Sequence, residues 1–175
     1  MNLSPDQLIA NLLEEHHPKN VLLFGDEQPP AVKEYLESQK DNCQLQTIND
    51  ASLLATIATR FDICLIAPDF INQSKQSGIE LLAGIRNRLC HHIYLFIPLK
   101  ENNLRESHLE KNDWQESDLF SLGLKRLAQF KPQTPNSNEP ILNCFAYQIE
   151  SYIKKRDWNN ARFWANPERF GKHWW

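Results

Sequence analysis

Glycine is scarce in this sequence, with five in 175 residues, and the shortage matters most after the first predicted strand. Proteins that bind dinucleotides at such a strand end carry Gly-x-Gly-x-x-Gly, because the glycines make a tight turn and let the backbone approach the phosphates. This chain has Gly25-Asp26-Glu27-Gln28-Pro29-Pro30 instead. The two prolines remove backbone donors and the two acids oppose a phosphate. The loop therefore argues against dinucleotide binding in the usual manner.

Long apolar runs and a leader-like segment are also lacking. Residues 1–5 carry neither a basic nor an apolar stretch, so no signal peptide is predicted. No run approaches the roughly 20 apolar residues that span a bilayer. The cysteines show no Cys-x-x-Cys spacing, and we interpret them as reduced packing residues of a cytoplasmic protein. They are Cys43, Cys64, Cys90 and Cys144.

Motifs for metal binding and for nucleophilic catalysis are missing as well. Four of the histidines form two adjacent pairs, His16-His17 and His91-His92. Adjacent residues of a helix or strand point apart, and no acid or cysteine lies at ligand spacing, so no metal site is predicted. No nucleophile-elbow motif accompanies the serines.

Charge is unevenly distributed. The net charge is −3, but residues 152–175 alone carry six basic and two acidic side chains. We expect this basic tail to pack on its own acidic domain, and we consider nucleic acid an unlikely partner.

Strands and helices alternate along residues 20–98, which predicts a parallel sheet covered by helices. Ser4-Pro5 begins an additional N-terminal helix. The predicted strands cover 20–25, 43–48, 61–67 and 92–98, and the predicted helices cover 31–40, 51–60 and 76–89.

The pattern changes after residue 100. A short helix over 117–122 precedes strands over 124–130 and 141–149, and so short a connection makes the two strands antiparallel. The prediction is a three-layer, Rossmann-like α/β fold whose mostly parallel sheet ends in an antiparallel hairpin. Residues 1–151 form a single domain, and residues 152–175 form a tail packed on it.

Acidic residues follow two of the predicted strands. In such folds ligands bind at the carboxyl ends of the strands, where Asp26-Glu27 and Asp69 fall. If these strands are neighbours, the three carboxylates lie close enough to bind a divalent cation or a cationic ligand. The alternative is that they are solvated loop acids.

The final hairpin and the Leu122-Gly123-Leu124 turn before it resemble class I S-adenosylmethionine-dependent methyltransferases over about residues 20–150. The resemblance implies S-adenosylmethionine as a possible cofactor, with Gly25, Asp26, Glu27, Asp50 and Asp69 as candidate binding residues. Asp50 would take the place of the ribose-binding acid, or it caps the helix that follows.

The chain departs from that family at the cofactor loop. Leu23 stands where the family carries an acid, and Glu27 and Pro29 replace the second and third glycines. The chain is also one strand–helix unit shorter.

A receiver-like architecture is the second resemblance. Asp26-Glu27, the 78–82 segment and Lys131-Pro132 are similar to motifs of response-regulator receiver domains. However, Ala67 occupies the position of the phosphorylated aspartate, and the final hairpin does not belong to that fold.

The tail resembles the ending of a small uncharacterised bacterial family with a methyltransferase-like body. Its aromatic and basic residues either fold back over the domain or contact a partner, including a second copy of the chain. The candidate interaction residues are Trp158, Arg162, Trp164, Arg169, Trp174 and Trp175.

The sequence thus predicts a methyltransferase-like protein with a degenerate cofactor loop, acting as a non-catalytic binding or scaffold protein. Two alternatives stay open: an active S-adenosylmethionine-dependent methyltransferase with an atypical pocket, and an interaction module acting through the aromatic tail.

Overall fold

The structure is a computed structural model that describes residues 3–39, 42–72, 74–99, 114–131, 141–149 and Arg162. Six strands of these residues form one sheet, and three of its inner strands are apolar runs buried on both faces. The strands are β1 (Asn20–Phe24), β2 (Gln44–Ile48), β3 (Ile63–Ile66), β4 (His92–Leu99), β5 (Lys125–Phe130) and β6 (Ile141–Gln148).

The strand order is β2-β1-β3-β4-β6-β5. Strands β1 to β4 are parallel, whereas β6 runs antiparallel to both β4 and β5. The predicted mostly parallel sheet with a terminal antiparallel hairpin is confirmed. Strand β1 lies between β2 and β3. The connection after β1 leads to β2 on one side of β1, and the connection after β2 leads to β3 on the other side. This reversal makes the β1–β3 junction the topological switch point.

Helices cover both faces of the sheet. Helices α1 and α2 pack on one face, and helix α3 and the segments near it pack on the other, so the three-layer prediction is also confirmed. The α-helices are α1 (Pro5–His16), α2 (Pro30–Gln39), α3 (Lys75–Gly84) and α4 (Glu116–Ser121). Among the described helices, none combines the length and the apolar character that crossing a bilayer requires.

One helix prediction was wrong in type and length. In place of an α-helix over 51–60, a 3₁₀ helix covers only Ala51–Thr56, and Ile57 is already extended. Of these six residues only Leu54 is buried, so there is little apolar area to stabilise further turns.

The predicted helix over 76–89 changes type along its length. Helix α3 ends at Gly84 and continues as a π-helical turn over Ile85–Leu89. Both Ile85 and Leu89 stay buried against the sheet, so the wider turn preserves the apolar face that the sequence pattern indicates.

The division into a domain of residues 1–151 and a tail of residues 152–175 stays a prediction. Apart from Arg162, the tail lies outside the described residues, as does the polar segment 100–113.

Candidate functional site

The candidate site is the crevice at the carboxyl ends of β1 and β3. The two strands pair up to Phe24 and Ile66, and the Ala67 amide then donates a hydrogen bond to the Phe24 carbonyl at 2.8 Å. On the other side of β1, the Gly25 amide donates to the Ile48 carbonyl at 3.0 Å. The strands end at this point, which is where open α/β sheets bind their ligands.

Gly25 allows the loop after β3 to contact the loop after β1. Its φ of 151° belongs to the region that favours glycine. A Cβ on Gly25 would lie 2.5 Å from the Cβ of Ala67 and 3.1 Å from Oδ1 of Asp69. The space that a glycine at a βα turn leaves for a ligand is therefore filled by the protein's own chain.

Asp69 closes the crevice. It lies in a 3₁₀ helix, Pro68–Asn72, and its Oδ2 accepts a hydrogen bond from the Asp26 amide at 3.0 Å. Its Oδ1 is buried and has no hydrogen-bond partner among the described residues. The Asp26 amide, in the loop after β1, is thus bound to a carboxylate of the same chain.

The side chains of Asp26 and Glu27 are exposed to solvent. The Asn49 side chain donates to Oδ1 of Asp26 at 3.4 Å. The expected proximity of Asp26 and Asp69 is confirmed, because β1 and β3 are neighbours. Within the described part of the chain, however, no group of three or more acidic, histidine or cysteine side chains is arranged to hold a metal ion.

Asp50 is a helix cap. Its Oδ1 accepts a hydrogen bond from the Ser52 amide at 2.8 Å, and this bond lowers the pKa of the Asp50 carboxyl. The capping interpretation of Asp50 is confirmed. The Asp50 side chain is exposed to solvent.

An apolar recess of about 160 Å³ opens beside the crevice, between α1 and the sheet. Three prolines from separate segments, Pro5, Pro29 and Pro68, contribute to its wall, and Asp6 of α1 is the one acidic residue among the described residues that line it. Sequence reasoning missed this recess, because the residues that line it come from segments far apart in the chain. Its apolar wall includes Ile9, Leu23, Leu65, Phe96 and Leu142.

Sequence reasoning also missed a polar cluster at the other end of the strands, around the start of β4. His16 of α1 contacts the Tyr94 hydroxyl through Nε2 at 2.6 Å, and the Gln148 amide donates to the same hydroxyl at 3.1 Å. The rings of His16 and His92 lie 4.5 Å apart, so histidines of different sequence pairs meet although members of one pair do not. Tyr94 is fully buried, and this burial raises the pKa of its hydroxyl.

The candidate interaction residues of the tail are only marginally described. Arg162 is exposed, and Trp158, Trp164, Arg169, Trp174 and Trp175 lie outside the described residues. Their role as an interaction surface or homodimer contact stays a prediction.

The mostly parallel, six-stranded sheet with its antiparallel pair matches the fold of S-adenosylmethionine-dependent methyltransferases of known structure. The chain is similar to the Burkholderia thailandensis 1,6-didemethyltoxoflavin-N1-methyltransferase at 15% identity and a TM-score of 0.53, over 84% of this chain and 79% of that chain. It is similar to the plantazolicin methyltransferase BpumL at 15% identity and a TM-score of 0.51, over 83% and 82% of the two chains. At these identities the likeness establishes the fold alone.

By sequence, the chain belongs to a family of unknown function (DUF6231), whose model matches residues 3–175. No curated protein matches it significantly. The chain spans 41% of the length of EvdMO1, which is similar over 82% of this chain at 13% identity and a TM-score of 0.52. The predicted membership of an uncharacterised family with a methyltransferase-like body is confirmed.

Proposed function

We propose that this protein is a methyltransferase-fold binding or scaffold protein that no longer binds S-adenosylmethionine through the loop after β1. The observation that carries the proposal is the contact of Asp69 with that loop, where its Oδ2 accepts the Asp26 amide hydrogen bond at 3.0 Å. A cofactor at this position would have to displace Asp69 and compete for a hydrogen bond that is already made.

The packing around Gly25 supports the same proposal. Ala67 and Asp69 leave no room even for a methyl group on Gly25. The neighbouring recess, at about 160 Å³, is smaller than the roughly 300–1,000 Å³ of sites that enclose a drug-sized ligand. Both observations support a site that does not take up the adenosyl and methionyl groups of the cofactor.

Isothermal titration with S-adenosylmethionine and S-adenosylhomocysteine tests the proposal. BpumL, which has been solved in complex with S-adenosylhomocysteine, is a suitable positive control on the same fold. We expect no saturable heat for this protein under conditions in which the control binds. Micromolar binding of either compound would contradict the proposal and favour an enzyme.

A second candidate is an active methyltransferase with an atypical pocket built from Gly25, Asp26, Glu27, Asp50 and Asp69. The buried, unpartnered Oδ1 of Asp69 favours it, because a ligand hydroxyl or ammonium group would satisfy that oxygen. In this case Asp26→Ala and Asp69→Ala would abolish ligand binding, whereas Glu34→Ala, which removes an exposed acid of α2, would not. Unchanged ligand signals in the first two variants would eliminate this candidate.

A further inference from the structure

The apolar recess between α1 and the sheet differs from the closed crevice beside it, because it is open and has room for a ligand. Its volume of about 160 Å³ is close to that of engineered cavities of about 150 Å³ that stay dry and bind benzene. It lies at the carboxyl ends of β1, β3 and β4, where open α/β sheets bind their ligands.

The wall of the recess is suited to an apolar group. Leu23, Leu65 and Phe96 form its floor on the sheet, and Ile9 of α1 and Leu142 of β6 complete the apolar surface. Because Leu23, Leu65 and Phe96 are themselves buried, a ligand in the recess would gain mainly from packing contacts with these side chains.

The rim is stiff. Pro5, Pro29 and Pro68 come from three different segments, and each has its φ fixed by its ring. A rim that does not need to be ordered on binding reduces the entropic cost of taking up a small ligand.

Among the described residues, the charge beside the recess has one sign. Asp6, in the first turn of α1, belongs to the lining and is exposed, and none of the described lining residues is basic. Asp26 and Glu27, on the loop that also contributes Pro29, are acidic and exposed. A bound molecule would therefore have its apolar part on the sheet and its polar end among carboxylates.

We propose that this recess binds a small hydrophobic ammonium compound, with its apolar group against Phe96 and Leu142 and its cationic group beside Asp6. The inference deepens the proposed function, since it names the chemical class of ligand that a non-catalytic binding protein of this fold would take. Such a compound needs neither the space around Gly25 nor the amide that Asp69 occupies.

The test is an NMR titration of the protein with three probes that share a ring and differ in charge: benzylamine, benzyl alcohol and benzoate. We expect benzylamine to bind with a Kd on the order of 1 mM, benzyl alcohol more weakly, and benzoate not measurably. The amide signals of α1 and of the strand ends around Leu23 and Leu65 should shift. Absence of benzylamine binding, or equal binding of benzoate, would overturn the inference.

Two substitutions distinguish the contribution of the Asp6 charge to binding from that of the shape of the recess. Asp6→Asn should weaken benzylamine about three- to fivefold while leaving benzyl alcohol unchanged, because only the ammonium group interacts with the carboxylate. Leu142→Phe, which fills the recess from its half-buried edge, should weaken both probes. Glu14→Gln removes an exposed acid two turns further along α1 and should change neither.

Loss of benzyl alcohol binding in Asp6→Asn would show that Asp6 acts through the fold of α1, and this would overturn the placement of the ammonium group. If Leu142→Phe does not fold, the probe series on the unsubstituted protein still decides the inference. Its failure is distinct from failure of the proposed function, which the S-adenosylmethionine titration alone decides.

Discussion

At the scale of single residues, Gly25 and Asp69 determine how closely the loops after β1 and β3 pack at the crevice. Gly25 has a φ of 151° and lies in van der Waals contact with Ala67. Asp69 accepts the Asp26 amide hydrogen bond and places its second oxygen, without a partner among the described residues, against Gly25. A glycine that elsewhere in this fold admits a ligand serves here to pack two loops of the chain against each other.

Gly25→Ala should destabilise the fold by roughly 2–4 kcal/mol, because it adds backbone strain at positive φ to an overlap with Ala67. Urea unfolding followed by circular dichroism measures the change in the free energy of unfolding.

Gly84→Ala is the matched control. Gly84 has helical dihedral angles, and a Cβ there would lie 3.8 Å from Leu54 Cδ1, an ordinary contact, so this change should stabilise by about 0.5–1 kcal/mol. Adding Ala67→Gly to Gly25→Ala should recover part of the loss by removing the overlapping carbon. Equal effects of Gly25→Ala and Gly84→Ala would contradict the packing described at the crevice.

The four cysteines should differ sharply in reactivity. Burial raises the pKa of the Cys90 and Cys144 thiols to about 12 and that of Cys64 well above its ordinary value. Cys43 is only half-buried, although burial and the nearby Asp62 charge raise the pKa of its thiol too. Labelling of the native protein with a chromogenic disulfide reagent at pH 8 should therefore modify one thiol slowly.

The Cys43→Ser variant should show no native labelling and three reactive thiols in denaturant. Reaction of two or more thiols in the native protein would mean that the strands carrying them are less buried than described. All four cysteines are free in the structure, as the sequence predicted.

At the scale of elements, α1 supports both the core and the recess. Its inner face buries Leu8, Ile9, Leu12 and Leu13. Its first turn is held by a capping box, in which the Gln7 amide donates to Ser4 Oγ at 3.1 Å and the Ser4 amide donates to Gln7 Oε1 at 3.0 Å. The same turn carries Pro5 and Asp6 to the mouth of the recess.

Ser4→Ala should lower the free energy of unfolding by about 1 kcal/mol, since it leaves helix amides of α1 without their cap. Ser4→Asp, which keeps an acceptor at the cap, should be close to the unsubstituted protein. Urea denaturation measures both, and an unchanged midpoint in Ser4→Ala would show that α1 does not unfold together with the sheet.

The strands were well predicted because each relevant sequence signal is local. The continuous apolar run that forms β1, buried over Val21–Phe24, leaves few alternatives to a strand covered on both faces. The start of α1 was equally clear from Ser4-Pro5. The 3₁₀ helix Ala51–Thr56 and the π-helical turn Ile85–Leu89 were not predicted, because packing against the sheet decides between helix types that share an apolar pattern.

At the scale of the whole molecule, the decisive fact is the position of β3 beside β1. From the sequence, the proximity of Asp26 and Asp69 could be predicted only on the assumption that β1 and β3 are neighbours. Strand order depends on how the helices pack over the sheet, so the sequence did not determine it. Once β3 lies beside β1, Asp69 reaches the Asp26 amide, and the loops after the two strands contact each other.

The recess has the same dependence on tertiary structure. Its walls combine α1, the loop after β1, and the strands β1, β3, β4 and β6. No short motif encodes such a site, so the sequence indicated acids at the strand ends without indicating the apolar space next to them. The absence of the glycine-rich pattern, in contrast, is visible directly in the sequence from Gly25 to Pro30.

The most direct test of the closed crevice is a crystal structure of the protein grown with millimolar S-adenosylhomocysteine. We expect the Asp69 carboxylate to accept the hydrogen bond of the Asp26 amide, Ala67 to contact Gly25, and the crevice to contain no nucleoside. An adenosyl group bound between the loops after β1 and β3, with Asp69 turned away from the Asp26 amide, would contradict it.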